Sequence, residues 1–381
     1  MTGPRPGRRR GLAAAAGGLL AVVLGAGAGA APGLAATTGA TDPTADPAQS
    51  GPARVAERTI KDDRITESSG LVASGRTTGI LWTFNDSGGT ARLFAVARSG
   101  RTAAVLDLRG VQAQDWEAAT ALRARDDTPL IAVGDIGDNR GDRPTVRIHV
   151  VAEPKKLVDG TVRPLRTITL TYPDQPVDAE TLVADPDTGR LYVVTKGVLG
   201  GRVYAVPEQA WPGTRDTPDA VDATLELVGR VPLVLVTDGV TLPDGRVALR
   251  TYGELALMPP LSTLGDPEAT WTPLATTRLP RQGQGEGIAV DRDGAFLLTT
   301  EGTDKPVLLF VAPAEVLAAR PPEPTATPSQ ATDDGSTGDG PPGDGSGPSA
   351  SGVAALGGVT ALAVVAVGAA ATATRRRRRH G

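Results

Sequence analysis

An acidic residue returns five times in one local setting along this chain. Glu67 opens ESSGLVAS, Glu117 lies in DWEAATAL, Glu180 in DAETLVAD, Asp238 in VTDGVTL and Glu286 in GEGIAVD. The successive gaps are 50, 63, 58 and 48 residues. Each acid is followed by small and apolar residues, a polar or glycine-containing turn, and a second apolar run. A loose repeat of that length marks one blade of a radial β-architecture. It also places five carboxylates where the innermost strands meet.

The runs between the acids read as strands separated by turn chemistry. They fall at 67–73, 80–84, 92–96 and 103–108, then 117–122, 130–133, 146–151 and 167–172. A third set covers 180–184, 191–195, 203–206 and 223–228, and a fourth 236–241, 247–251, 254–258 and 271–276. The fifth set, 286–290, 296–300 and 307–311, lacks an outer strand. An orphan strand at 55–60 can supply it and close the ring, which removes the exposed sheet edge. ADPDTGR, LPDGR and DRDG are hairpin turns. The expected fold is therefore all-β: a five-bladed β-propeller with an N-terminal strand closing the last blade. Six blades or a two-sheet sandwich are the alternatives. A short helical turn is expected near 313–319.

The ends have a different character. Residues 1–30 carry Arg5 and Arg8 to Arg10, an apolar stretch and small residues suited to cleavage, the pattern of a signal peptide. Residues 31–52 form a spacer, 53–319 the propeller ectodomain, and 320–351 a Pro/Gly/Ser/Asp stalk that cannot bury a core. Residues 352–374 are uncharged and long enough to span a bilayer. The polybasic tail 375–381 then stays in the cytoplasm. The expected protein is a single-pass membrane protein with its propeller outside.

In a propeller the first strand of each blade lines the channel, and the second returns to the same mouth. One rim should therefore hold Glu67, Asp86, Asp115, Glu117, Asp135, Asp138, Glu180, Asp238, Glu286 and Glu301, with Lys196 and Arg250 opposing them. Carboxylates crowded in this way raise one another's pKa or take up a cation. Oxygen donors without cysteine suit a hard ion, with Ca2+ first. The bland reading is that the acids pair with arginines or cap turns and hold the blades in register. GDIGDNRGD adds Asp135, Asp138, Asn139 and Asp142 on a glycine-rich loop without the spacing of an EF-hand.

Other chemistries lose ground. The absence of cysteine removes thiolate sites, and the net charge of −4 argues against nucleic acid. The only histidine before the tail, His149, lies in the apolar run VRIHVV, a poor setting for a mobile catalytic base. Asn85 and Trp116 are candidate ligand contacts beside Lys196 and Arg250. For Trp116, and for Trp82 and Trp211, the alternative is blade packing.

Together ESSGL, NDSGG, DWEAAT, GDIGDN, DAETL and GEGIA resemble a group of exported, membrane-anchored bacterial propeller proteins carrying DWE…GDIGDN. More distantly the chain resembles phytase-like and esterase-like propellers. That resemblance implies calcium at the channel mouth assisting hydrolysis of a phosphoester or ester. Ala118 and Ala119 stand where the group's next acidic residue would begin. Two functions follow. The first is a surface binding module that uses the acidic mouth, with Ca2+, to hold a cationic, glycan or peptide ligand. The second is a metal-dependent hydrolase with Glu117 as base and Lys196 and Arg250 holding substrate charge.

Overall fold

In the computed structural model, residues 55–86, 89–211 and 219–321 are described. The expected signal peptide, spacer, stalk, membrane segment and tail lie outside the described residues, apart from the stalk's first two. No helix among the described residues is long and apolar enough to cross a membrane.

The described chain is a five-bladed propeller. Strand β1 (Val55–Thr59) comes first. Blade one follows as β2 (Ser68–Ala73), β3 (Leu81–Asn85), β4 (Arg92–Val96) and β5 (Thr102–Leu108). Blade two is β6 (Trp116–Arg123), β7 (Pro129–Asp135) and β8 (Val146–Ala152), then, after β9 (Gly160–Val162), β10 (Arg166–Thr171). Blade three is β11 (Ala179–Ala184), β12 (Leu191–Thr195) and β13 (Gly201–Ala205), then, after β14 (Ala220–Thr224), β15 (Glu226–Val231). Blade four is β16 (Val236–Thr241), β17 (Val247–Thr251), β18 (Glu254–Met258) and β19 (Ala275–Arg278). Blade five is β20 (Gly285–Val290), β21 (Phe296–Thr300) and β22 (Pro306–Phe310), completed by β1, which pairs antiparallel with β22. Helix α1 (Ala314–Ala318) follows. The sandwich and six-bladed alternatives are thereby excluded.

The core is a set of apolar seams, each between adjacent blades. Trp82, Phe84, Trp116 and Val133 fill the seam of blades one and two, and Ile148, Leu182 and Tyr204 that of blades two and three. The inner strands crowd the axis, and β11 (AETLVA) is buried along its whole length there.

Three departures from the sequence reading share one cause. The run expected at 223–228 is split: β14 leaves blade three and pairs in parallel with β10, the outer strand of blade two. Likewise β9 pairs in parallel with β5 of blade one. A shorter version joins Thr270 to Arg230 of β15, so the strand expected at 271–276 begins only at Ala275. Each connector covers the outer edge of the preceding blade before starting its own outer strand. An uncovered edge would offer unpaired N–H and C=O groups to other chains.

Candidate functional site: a carboxylate-lined channel mouth

A one-residue bulge lies at the mouth end of every inner strand. The register slips between Trp116 and Ala118, Ala179 and Thr181, Val236 and Asp238, Gly285 and Ile288, and Ser68 and Leu71. A bulge leaves one residue unpaired and re-aims its side chain. Those positions hold Glu117, Glu180, Thr237, Glu286 and Ser69. Two residues earlier in each blade come Asp115, Asp178, Leu235, Gln284 and Glu67. Just beyond the paired end of each second strand come Asp86, Ile136, Lys196, Tyr252 and Glu301. Four of the five recurring acids therefore occupy two levels of one mouth, and blade four contributes no charge to either.

This register separates the expected rim residues. Asp238 stands one position past its bulge and turns into the seam between blades. Its Oδ1 accepts the N–H of Gly239 at 2.8 Å and its Oδ2 that of Ile288 at 2.9 Å. Arg250 is also fully buried and donates to the carbonyls of Gly287 (2.9 Å) and Thr299 (3.3 Å) and to Gln282 Oε1 (3.2 Å). A Cβ at Gly285 would lie 2.1 Å from the Arg250 guanidinium, so this passage requires glycine there. Asp238 and Arg250 are both fully buried and held by the protein's own backbone groups. The residue that occupies Arg250's expected place on the rim is Tyr252.

Several others build the loops instead. Asn85 accepts the N–H groups of Thr66 and Glu67 at 3.0 and 3.2 Å and donates to the Arg64 carbonyl at 2.8 Å, which sets Glu67 in place. Asp135 accepts the N–H groups of Gln114 and Asp115, both at 3.1 Å, and pairs with Arg143 at 2.7 Å. Asp138 closes the GDIGDNRGD loop on the N–H groups of Asp142 (3.1 Å) and Arg143 (3.0 Å). Its own N–H donates to Asp178 Oδ1 at 2.7 Å. Gly137 lets this loop pass over the acids, since a Cβ there would lie 2.5 Å from Asp115 Oδ2. Trp116 is buried against Phe84, with ring centroids 5.6 Å apart, and Trp82 donates to Glu153 at 3.0 Å. Both tryptophans, like the buried Trp211, are packing residues. His149 is buried and held near Thr167 Oγ1 at 3.0 Å; burial lowers its pKa to about 4, so it is neutral and unfit as a mobile base.

The acids that face the mouth raise one another. Burial lifts Glu117 well above the usual carboxylate range, with Glu180, Asp115, Asp86 and Asp178 adding to the effect. Glu286 is pushed up to about 7 by burial, with Glu301 and Asp86 adding to it, while Lys196 and Arg250 oppose the rise. Glu67 reaches about 7, chiefly through its hydrogen bond with Asp86, and Asp115 about 6 through burial and then Asp178. Asp178 and Glu301 are raised by burial. The charge of Asp86 acts on Glu67, Asp115, Glu117, Glu286 and Glu301 alike, so all five lie within its electrostatic reach. Further along the inner strands lies a cavity of about 160 Å3 lined by Leu71, Ala119, Gly239 and Ile288 together with Thr120 and Thr241.

Lys196 is the cation of the mouth. Its ammonium donates to Glu180 Oε1 and lies 5.4 Å from the centre of the Tyr252 ring. Burial works against its charge, but Glu180 more than offsets this and its pKa rises. Glu180 is itself raised to about 8 by burial, with Lys196 pulling it back and Glu286 pushing it up. The direct ammonium–carboxylate contact favours the ionised pair. The other oxygen of Glu180, which is 3% exposed, is buried without a hydrogen-bond partner, as is Oδ1 of Asp86.

Sequence reading missed Asp178, Arg143 and Tyr252. The signal for Asp178 was present: Asp115 and Asp178 each precede a bulge glutamate by two residues, in DWE and DAE. An adjoining cavity of about 520 Å3, which shares Val72, Ala121 and Thr241 with the smaller one, opens beside Arg123, Asp185, Thr188 and Pro243. None of the mouth acids lines it.

No family model matches this chain, and no curated protein does. Among solved structures it is similar to a glucose dehydrogenase (13% identity, 69% of this chain and 100% of that one, TM-score 0.39). It is similar to the glutaminyl cyclase of Myxococcus xanthus (12% identity, 67% and 95%, TM-score 0.37). A gluconolactonase of Xanthomonas campestris is comparable (12% identity, 67% and 89%, TM-score 0.34). At such identities and overlaps these similarities say nothing about the chemistry of the mouth.

Proposed function

We propose that this chain is a surface-displayed binding module whose channel mouth accepts positively charged groups. The observation that carries the reading is the unpaired Oε2 of Glu180, buried among Asp115, Glu117, Asp178 and Glu286, carboxylates that raise one another and are opposed by Lys196, Arg143 and Arg250. A buried carboxylate oxygen without a donor is costly, and a cationic ligand would supply the missing donor and charge. Display outside the membrane rests on the sequence character of residues 1–30 and 352–374 and on the resemblance carried by DWE and GDIGDN.

Calcium is the second reading, favoured by the oxygen-only donor set. The side chains do not fit it as they stand, because no group of three or more Asp, Glu or His among the described residues is placed to hold a metal ion. A metal-dependent hydrolase with Glu117 as base would need that ion.

The test is calorimetric titration of the purified full chain with spermine and, separately, with calcium chloride. The expected result is spermine binding at pH 7.5 with proton release, weakened at least tenfold in Glu180→Gln/Glu286→Gln. Absence of spermine binding, with no change in melting temperature, would overturn the reading. Calcium binding that excludes spermine would replace it with the metal reading.

A further inference from the structure

The acidic mouth has an apolar flank. Leu199 is 97% exposed and Val198 72%, at the tip of the loop between β12 and β13. Val234 is 50% exposed, and Tyr252 is 36% exposed. Backbone contacts join these residues into one ledge. The N–H of Leu235 donates to the carbonyl of Gly197 at 3.0 Å, which ties Val234 to the Val198–Leu199 loop. Tyr252 lies under the ammonium of Lys196, the residue that opens that loop. The ledge therefore begins where Lys196 meets Glu180 and runs outward over blades three and four.

The backbone holds this ledge in place. Leu235 adopts φ of 54°, a left-handed conformation costly for a branched side chain and sustained here by its bond to Gly197. The loop is wound tightly enough that a Cβ at Gly197 would lie 1.9 Å from the Gly200 carbonyl oxygen. Exposed aliphatic side chains on so fixed a support are available to a partner without further ordering cost. The ledge also coincides with the gap in the acid pattern, where blade four contributes Thr237, Leu235 and Tyr252 instead of carboxylates.

We infer that the partner is a polypeptide segment carrying a basic side chain beside an apolar one, the basic group entering the carboxylate mouth and the apolar side chain lying on Val198, Leu199, Val234 and Tyr252. The inference rests on the cation-accepting reading of the mouth and adds the partner's class. Charge complementarity selects the partner: a purely apolar segment would leave the carboxylates unpaired, and an acidic one would be repelled.

The test uses the full chain and two fluorescein-labelled hexapeptides, one with a lysine pair followed by Leu-Phe and one with the same lysines followed by Ser-Ser. Spermine, which has no apolar side chain, reads the mouth alone. Fluorescence anisotropy is expected to show the Leu-Phe peptide binding at least tenfold tighter than the Ser-Ser peptide. Val198→Ser/Leu199→Ser, at exposed positions that should not disturb folding, is expected to abolish the difference. Equal binding of the two peptides, or a preference that survives the double substitution, would overturn the inference. Spermine binding without peptide binding overturns it while leaving the mouth reading intact; loss of spermine binding as well defeats the mouth reading itself. Preferential capture of phosphatidylserine vesicles over both peptides, or dimerisation abolished by the same substitutions, would assign the ledge to a lipid surface or to a second copy and overturn the peptide.

Discussion

The carboxylate of Asp238 bridges two blades by accepting the backbone N–H of Ile288 at 2.9 Å while its other oxygen accepts Gly239 N–H at 2.8 Å. Asp238 shares the repeat with Glu117, Glu180 and Glu286, yet it lies one residue past its bulge and serves the seam. Asp238→Ala should leave two buried donors unsatisfied and cost about 2–4 kcal/mol. Asp238→Asn, which keeps an acceptor, should cost less. Both should leave spermine affinity within about twofold. Denaturant unfolding alongside calorimetry checks this, and a large loss of affinity in a folded Asp238→Asn would place the residue in the mouth.

Raised carboxylates reverse the usual pH dependence of stability. Glu67 and Glu286 sit at about 7 and Asp115 at about 6, above their values in an unfolded chain. The folded protein therefore holds more protons than the unfolded one between about pH 4 and 8, and these groups make it less stable as pH rises through that window. The melting temperature should climb as pH is lowered from 8 toward 5. Glu117→Gln should flatten the profile, because it removes one of the charges pressing on the others. A melting temperature that falls steadily over the same range would contradict the shared mouth.

Much of the architecture was legible in the sequence because each inner hairpin is local. The turns ADPDTGR, LPDGR and DRDG fix β11–β12, β16–β17 and β20–β21, and β12, β16, β17, β18 and β21 begin and end where the apolar runs do. Strands β9 and β14 were not legible, since their parallel partners come from the preceding blade and nothing in GTV or AVDAT announces them. At the site, residue type pointed to the right mouth but not to the role. Glu180 and Asp238 look equivalent in sequence, and a one-residue bulge sends one to the channel and the other to the seam.

Lys196 acts as a tethered competitor for the cation site. Lys196→Met should lower stability, because Glu180 loses its partner in a buried place. It should also raise spermine affinity on the order of tenfold by removing one positive charge from the mouth. Paired melting and calorimetric measurements would show the two effects moving in opposite directions. A loss of affinity would instead make Lys196 part of a ligand contact.

The parallel connectors give the last prediction. Strand β14 meets β10 through a continuous register from Thr167 opposite Ala220 to Thr171 opposite Thr224. Val221 is opposite Ile168 and packs partly buried against the seam of blades two and three. Val221→Pro removes a backbone donor and a side chain that covers this edge. The cost should be about 2–3 kcal/mol, with faster amide exchange concentrated in β10 while β6 and β7 remain protected. Uncovering an outer edge should also increase aggregation on heating. Exchange that rises equally in all five blades would mean that the connector stabilises the ring as a whole and does not shield one blade. Unchanged exchange in β10 would mean that its edge is protected by other contacts.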